Sequence, residues 1–262
     1  MALDGETDMP GDTSVDELDL TDSELLELIE NHGIDRRSLM KVLGAGSLLS
    51  LGVGSAAATH DQPHPPHIDS HFGYTAPADE RLPGKLRPDH TVKLHAGPSP
   101  IPFHFDPMGI HVDVGDIVRF DFESADHTVT AYHPGHGRQQ RVPDDEVPFS
   151  SPMVNAGGFW LYQFDHPGTY DMYCGPHQFF GMVMRIVVGD PDADDYDGEF
   201  GDQGRPPESR AALTELLRIA SGDDTVSWQL PASADIFATA AMSVDNIVEN
   251  GPVDRGVVVA DL

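Results

Sequence analysis

Residues 174–182 read CGPHQFFGM. This nonapeptide holds the chain's single cysteine, Cys174, followed by His177 after a two-residue gap and by Met182 after four more. A thiolate, an imidazole and a thioether together favour copper over hard cations, because sulfur and nitrogen donors suit copper while oxygen donors suit magnesium and calcium. Two histidines and a cysteine in a trigonal plane, with a weak axial methionine, make an electron-transfer copper site. The loop offers three of those four donors, so the remaining histidine must come from elsewhere. Taken singly, a buried cysteine is usually a small hydrophobe, and a methionine beside Phe179, Phe180 and Val183 is usually core. The joint spacing Cys-x2-His-x4-Met, between two strand patterns, favours the ligand reading.

The upstream stretch GDIVRFDFESADHTVTAYHP spans residues 115–134. Val118, Phe120 and Phe122 alternate with Ile117, Arg119 and Asp121, the period of a half-buried strand. After a break at Ser124 to Asp126, His127 opens a second strand pattern. His127 and His133 share strand parity, so alternation does not choose between them, and His136 lies close by. His127 directly follows the break, at the end of the sandwich where the Cys174 loop must also lie. His133 is six residues further on, roughly 20 Å along an extended chain at about 3.3 Å per residue. His127 is therefore the expected fourth ligand, with His133 and His136 left as candidates for a weaker second metal site.

The blocks VGDIVRF, HTVTAYHP and FDHPGTYDMYCGPHQFFGMVMRIVVG resemble a cupredoxin of the plastocyanin, halocyanin and pseudoazurin type, over about residues 91–190. The resemblance implies one type 1 blue copper bound by His127, Cys174, His177 and Met182. It also implies an electron carrier rather than an enzyme, serving redox partner proteins such as membrane respiratory complexes. His177 would sit at an exposed edge, with Pro176, Phe179 and Phe180 forming an apolar docking patch around it. The sequence departs from the family at Thr128, where asparagine is common, and at Gly175, where a hydroxyl residue often follows the cysteine. A side-chain link between those two positions is thus not implied. Pro176 has no N–H to donate to the thiolate, which bears on the potential. Tyr173 and Gly175 flank Cys174, so the His-Cys neighbour pair of multicopper enzymes is missing, and a binuclear site lacks its second cysteine. A copper chaperone or scavenger using the same donors is the alternative function.

The 262 residues carry 44 acidic and 15 basic side chains, a formal charge of −29, and lysine occurs only at 41, 85 and 93. Residues 1–58 hold 12 acids and 3 bases, so the excess is spread along the chain. Such a surface repels itself in dilute buffer and is screened at molar salt, where the Debye length is about 3 Å. The expectation is a protein of an extreme halophile, a haloarchaeal member of the family it resembles. No basic face exists to neutralise phosphates, which excludes nucleic acid as a partner.

Arg36 and Arg37, followed by Leu39, Met40 and Lys41 and by an apolar run from Val42 to Ala58, resemble a twin-arginine export signal. Residues 1–58 are read as that signal region, cleaved near Ala58 at the small residues Ala56, Ala57 and Ala58. An uncleaved segment anchoring the chain to the membrane is the alternative, since 17 residues lie at the lower edge of a span. The expected location is the outer face of the cytoplasmic membrane or beyond it. With one cysteine there is no disulfide within the chain.

Residues 59–90 form a Pro/His-rich stretch, read as an irregular linker whose His60, His64, His67 and His71 have at most adventitious metal affinity. Strands are expected at 91–95, 102–106, 110–114, 117–123, 128–133, 159–164, 169–174 and 183–188. Eight short strands with turn chemistry between them make an all-β, Greek-key β-sandwich over residues 91–190. Residues 139–154 are expected to cross irregularly between sheets. Residues 191–262 read as an acidic linker and a helical C-terminal extension, a packing or docking appendage without histidine or cysteine. Its helices are expected from Glu208 to Ser221, stopped by Gly222, and from Ala234 or Ser243 to Asn250.

Overall fold

The computed structural model describes residues 65–190, 200–201, 204 and 206–262. The twin-arginine region, His60, His64 and most of the acidic linker lie outside the described residues. Among the described residues there are nine strands: β1 Tyr74–Ala76, β2 His90–Ala96, β3 Phe103–Asp106, β4 Gly109–Val112, β5 Ile117–Phe122, β6 Thr130–Ala131, β7 Phe159–Gln163, β8 Gly168–Tyr173 and β9 Val183–Val188. They form a five-stranded sheet in the order β1-β7-β5-β2-β3 and a four-stranded sheet in the order β4-β9-β8-β6. β2 runs parallel to β5 and β4 parallel to β9, while the other neighbours are antiparallel. The result is a Greek-key sandwich of all-β character carrying C-terminal helices.

Alternation builds the core between the sheets. Val92 and Leu94, Val118, Phe120 and Phe122 face Tyr170, Met172 and Cys174, with Met184, Ile186 and Val188 beside them. Each large apolar side chain so buried contributes about 1.5–3 kcal/mol. A one-residue slip of β5 would turn Phe120 and Phe122 to the outer face, so this core also fixes the register.

The outer face of the smaller sheet is covered by the C-terminal extension, whose helices are α1 Arg210–Ser221, α2 Ser233–Phe237, α3 Val244–Asn250 and α4 Arg255–Asp261. Ile236, Phe237, Met242, Ile247, Val253 and Val258 pack there against Tyr132, Tyr173, Val183 and Val187. Every residue of β8 and β9 is consequently buried. The face also buries a charge. Asp171 is held by Arg185 at 2.7 and 2.9 Å and by Arg141 at 2.8 Å, which supplies the pairing that a buried carboxylate requires. Arg141 in turn lies 3.7 Å from the ring centre of Phe200.

Several expectations shift. The strand expected at 128–133 shrinks to β6, because His133 instead caps a 3₁₀ turn at Pro134–His136 and accepts from the Gly135 N–H. Residues 65–90, expected as irregular linker, contribute β1 at the sheet edge against β7 and bury Leu86 against Ile117, Phe159 and Leu161. α1 starts at Arg210 with Ser209 as its cap and ends before Gly222, whose φ of 72° is left-handed. The second expected helix is two separate helices, α2 and α3, and α4 is additional. Among the described residues no helix is long and apolar enough to cross a membrane.

Candidate metal centre

His127, Cys174 and His177 converge at one end of the sandwich. Asp126 adopts a left-handed φ of 67°, a conformation that Asp tolerates better than most residues. The chain then runs on to His127, which bridges to Val154. Ser124 Oγ holds His127 Nε2 at 2.8 Å. The other nitrogen, Nδ1, lies 3.6 Å from Cys174 Sγ and 3.1 Å from His177 Nδ1, and Sγ to His177 Nδ1 is 3.5 Å. These separations leave a common centre about 2 Å from each donor, close to the roughly 2.0–2.3 Å of metal–nitrogen and metal–thiolate bonds.

Cys174 leaves the end of β8, and the loop returns tightly to β9. The Cys174 N–H donates to the Met182 carbonyl at 3.0 Å and the Met182 N–H to the His177 carbonyl at 3.2 Å. Met182 is fully buried in the same core as Cys174. Between them a 3₁₀ turn at Gln178–Phe180 ends on Gly181, with φ 81°. A Cβ at Gly181 would come within 2.7 Å of Ile236 and 3.0 Å of the Pro231 carbonyl.

Thr128 ties the two chain segments together. Its N–H points at Cys174 Sγ at 3.4 Å, and its Oγ1 accepts from the Gly175 N–H at 2.8 Å. The link between positions 128 and 175 thus exists, but as backbone to side chain, so Gly175 needs no hydroxyl to make it.

Burial sets the protonation of the donors. It pushes the Cys174 thiol up to about 12, opposed by the Thr128 N–H. It draws His127 down to about 4, and His177 down to about 3 with help from neighbouring His127. Both imidazoles are neutral at pH 7 and carry free lone pairs, and a cation would compensate a thiolate that apolar surroundings otherwise disfavour. Phe103 stacks on His177 with ring centres 3.9 Å apart.

His133 and His136 stand apart from this cluster. His133 Nδ1 accepts from Gly135, and His136 Nε2 meets the Phe149 carbonyl at 3.1 Å. The expected apolar docking patch is also altered. His177 and Pro176 remain half-buried, but Phe179 and Phe180 are buried beneath Trp228 of the C-terminal extension. Gln178 is fully buried and donates to Ser233 Oγ at 3.0 Å and to Glu208, while accepting from Arg138 at 3.2 Å. Sequence reasoning missed this anchoring, because nothing in the periodicity of 206–237 names its target.

Residues 92–189 match the model of the copper binding proteins, plastocyanin/azurin family. Over this segment the chain is similar to the cupredoxins. It is 34% identical to the halocyanin of Natronomonas pharaonis over 33% of this chain and 48% of that protein, and 28% identical to the plastocyanin of Prochlorothrix hollandica over 37% and 72%. The chain is also similar to the crystal structure of pseudoazurin from Methylobacterium extorquens AM1, at 30% identity over 40% of this chain and 79% of that one, with a TM-score of 0.33. The chain spans only about half the length of the curated halocyanin. The extension that packs on the Cys174–Met182 loop lies outside the matched segment.

Proposed function

We propose that this chain is an exported, mononuclear blue-copper electron carrier with His127, Cys174, His177 and Met182 as the copper ligands. The convergence of two neutral imidazoles and one thiol within 3.1–3.6 Å carries the reading. That donor set suits copper, and Met182 is the thioether returned to the same core by the loop. Bound copper would supply a one-electron Cu(I)/Cu(II) couple.

The chain's own residues keep that couple in fixed surroundings. Ser124 orients His127, Thr128 restrains both Cys174 and Gly175, and Gln178 anchors the segment after His177. His127 is 1% exposed and Cys174 is fully buried, so water is kept from the donors while half-buried His177 offers the route to a redox partner. The same burial disfavours the chaperone reading, which needs ready release of the metal. Export and an extracytoplasmic location rest on the twin-arginine pattern at Arg36 and Arg37. The Arg36→Lys, Arg37→Lys double variant should fail to be exported; unaffected secretion would remove that assignment.

Copper addition to the purified protein tests the function. An intense visible thiolate-to-copper band should appear and be absent from Cys174→Ser, and reversible one-electron voltammetry should accompany it. A colourless copper-loaded protein would overturn the blue-site reading. Metal transfer to an apo acceptor without electron exchange would favour the chaperone.

A further inference from the structure

Among the described residues, four buried side-chain polar atoms have no hydrogen-bond partner, and two of them belong to one histidine pair: His95 Nε2 and His104 Nδ1. A buried donor or acceptor left unsatisfied costs about 1–3 kcal/mol, and an ion or a water is the usual explanation when a native structure retains one. His95 and His104 stand directly opposite each other across β2 and β3. Their ring centres are 4.3 Å apart. His104 is 5% exposed although it lies on the outer face of its sheet, and its ring occupies the space that a side chain at Gly97 would fill, 2.8 Å from an ideal Cβ.

Carboxylates stand on both sides of His95. His95 Nδ1 faces the Glu123 carboxylate at 3.5 Å, leaving Nε2 turned the other way, 4.0 Å from Asp106 Oδ2. A carboxylate behind one ring nitrogen is what orients a metal-ligating histidine and raises its basicity. Glu123 is itself fixed by Lys93 at 2.8 Å. Burial draws His104 down to about 4, so at neutral pH its ring is uncharged and able to donate a lone pair.

We propose that this outer face holds a second metal site, for a divalent transition ion such as Zn2+ or Cu2+, bound by His95 Nε2, His104 Nδ1 and the Asp106 carboxylate. Imidazole nitrogens select such ions over magnesium and calcium. Asp106 is 40% exposed on edge strand β3, and binding would require its carboxylate to turn in from 4.0 Å to complete the set. The pair is separate from the His127, Cys174 and His177 cluster, yet His95 and His104 each interact electrostatically with His127. A cation held there would therefore act on the neighbouring centre through its charge. The site itself does not depend on copper binding at His127.

Titrating the full-length protein with Zn2+ by calorimetry, after a single equivalent of copper has been added for the His127, Cys174 and His177 centre, tests the proposal. The parent should bind one more equivalent than a folded His95→Asn, His104→Asn double variant, and Glu123→Gln should weaken that equivalent by tenfold or more. Equal stoichiometry in the folded double variant would overturn the site and leave a bridging water as the partner of the two nitrogens. Should the double variant fail to fold, Zn-edge anomalous diffraction from Zn2+-soaked parent crystals decides. A peak about 2.0–2.1 Å from both His95 Nε2 and His104 Nδ1 is expected; zinc found only elsewhere, or nowhere, would sink the proposal.

Discussion

Thr128 and Cys174 are joined by a backbone N–H aimed at the sulfur, 3.4 Å away, while the Thr128 hydroxyl accepts from the residue that follows the cysteine, at 2.8 Å. One residue thereby fixes the thiol and the start of the ligand loop. Thr128→Val keeps the N–H and the side-chain shape but leaves the Gly175 N–H without its acceptor. A loss of about 1–3 kcal/mol in stability is expected, with the blue band retained but displaced. Chemical denaturation and an optical spectrum check both parts, and an unchanged denaturation midpoint would show that the Gly175 contact is not formed in solution.

Met182→Leu should keep the colour and raise the reduction potential, because an axial thioether stabilises Cu(II) and its removal favours Cu(I). A redox titration that finds no change would move the axial role away from Met182. In the same series His127→Ala should lose the band and His133→Ala should keep it, since His133 caps the 3₁₀ turn and lies outside the donor cluster. Loss of colour in the His133 variant alone would reverse the assignment.

The sandwich was legible because its signals are local. Val118, Phe120 and Phe122 alternate within one strand, and the loop donors sit within nine residues of each other. The approach of His127 to that loop was reachable from chain geometry, since a short break can end only near the strand it leaves. The C-terminal extension was not legible in the same way. Its helices carry their own caps and periodicity, but their target is the outer face of β8 and β9. There Thr169, Asp171 and Tyr173 break the apolar pattern, and Asp171 is paired with Arg141 from a distant loop and Arg185 from the next strand. β1 was hidden for a related reason. Three residues in a Pro/His-rich stretch become a strand only because β7 presents an edge to them.

Stability should rise with salt into the molar range, since the charge of −29 is spread along the chain and repels itself when unscreened. Thermal midpoints measured from dilute buffer to molar salt test this, and a flat profile would count against halophilic adaptation.

His136 gives a pH dependence of definite sign. Burial is the largest cause lowering its pKa, with the charges of His133 and Arg138 adding to it against the bond to the Phe149 carbonyl. The unfolded chain then binds a proton near pH 6.5 that the folded chain refuses until lower pH. Its contribution is therefore full above about pH 6.5 and is lost as the pH falls toward the depressed folded value. His136→Gln, which can still donate to Phe149, should flatten the fall in denaturation midpoint on the acid side of 6.5. A parallel curve would mean that His136 titrates normally in the folded state.

Glu208 gives the sharpest test of the extension's hold on the ligand loop. Its carboxylate accepts from Arg138 at 2.8 Å and from the Tyr132 hydroxyl at 3.0 Å, and it also accepts from Gln178, next to His177. The Arg138 and Glu208 side chains are 3% and 2% exposed, so removing one partner leaves a buried charge uncompensated, at a cost of about 3–5 kcal/mol. Glu208→Ala should show that loss together with a shifted or broadened blue band, because Gln178 then keeps only Ser233 and Arg138 of its side-chain partners given above, beside a proposed copper ligand. Glu208→Gln keeps the shape and one acceptor oxygen, and Arg138 retains the Pro206 carbonyl at 2.7 Å. It should therefore lose less stability and leave the band closer to the parent's. If Glu208→Ala loses stability with an unaltered spectrum, the extension packs on the sandwich without restraining the ligand loop. If neither property changes, the buried network is not present in solution.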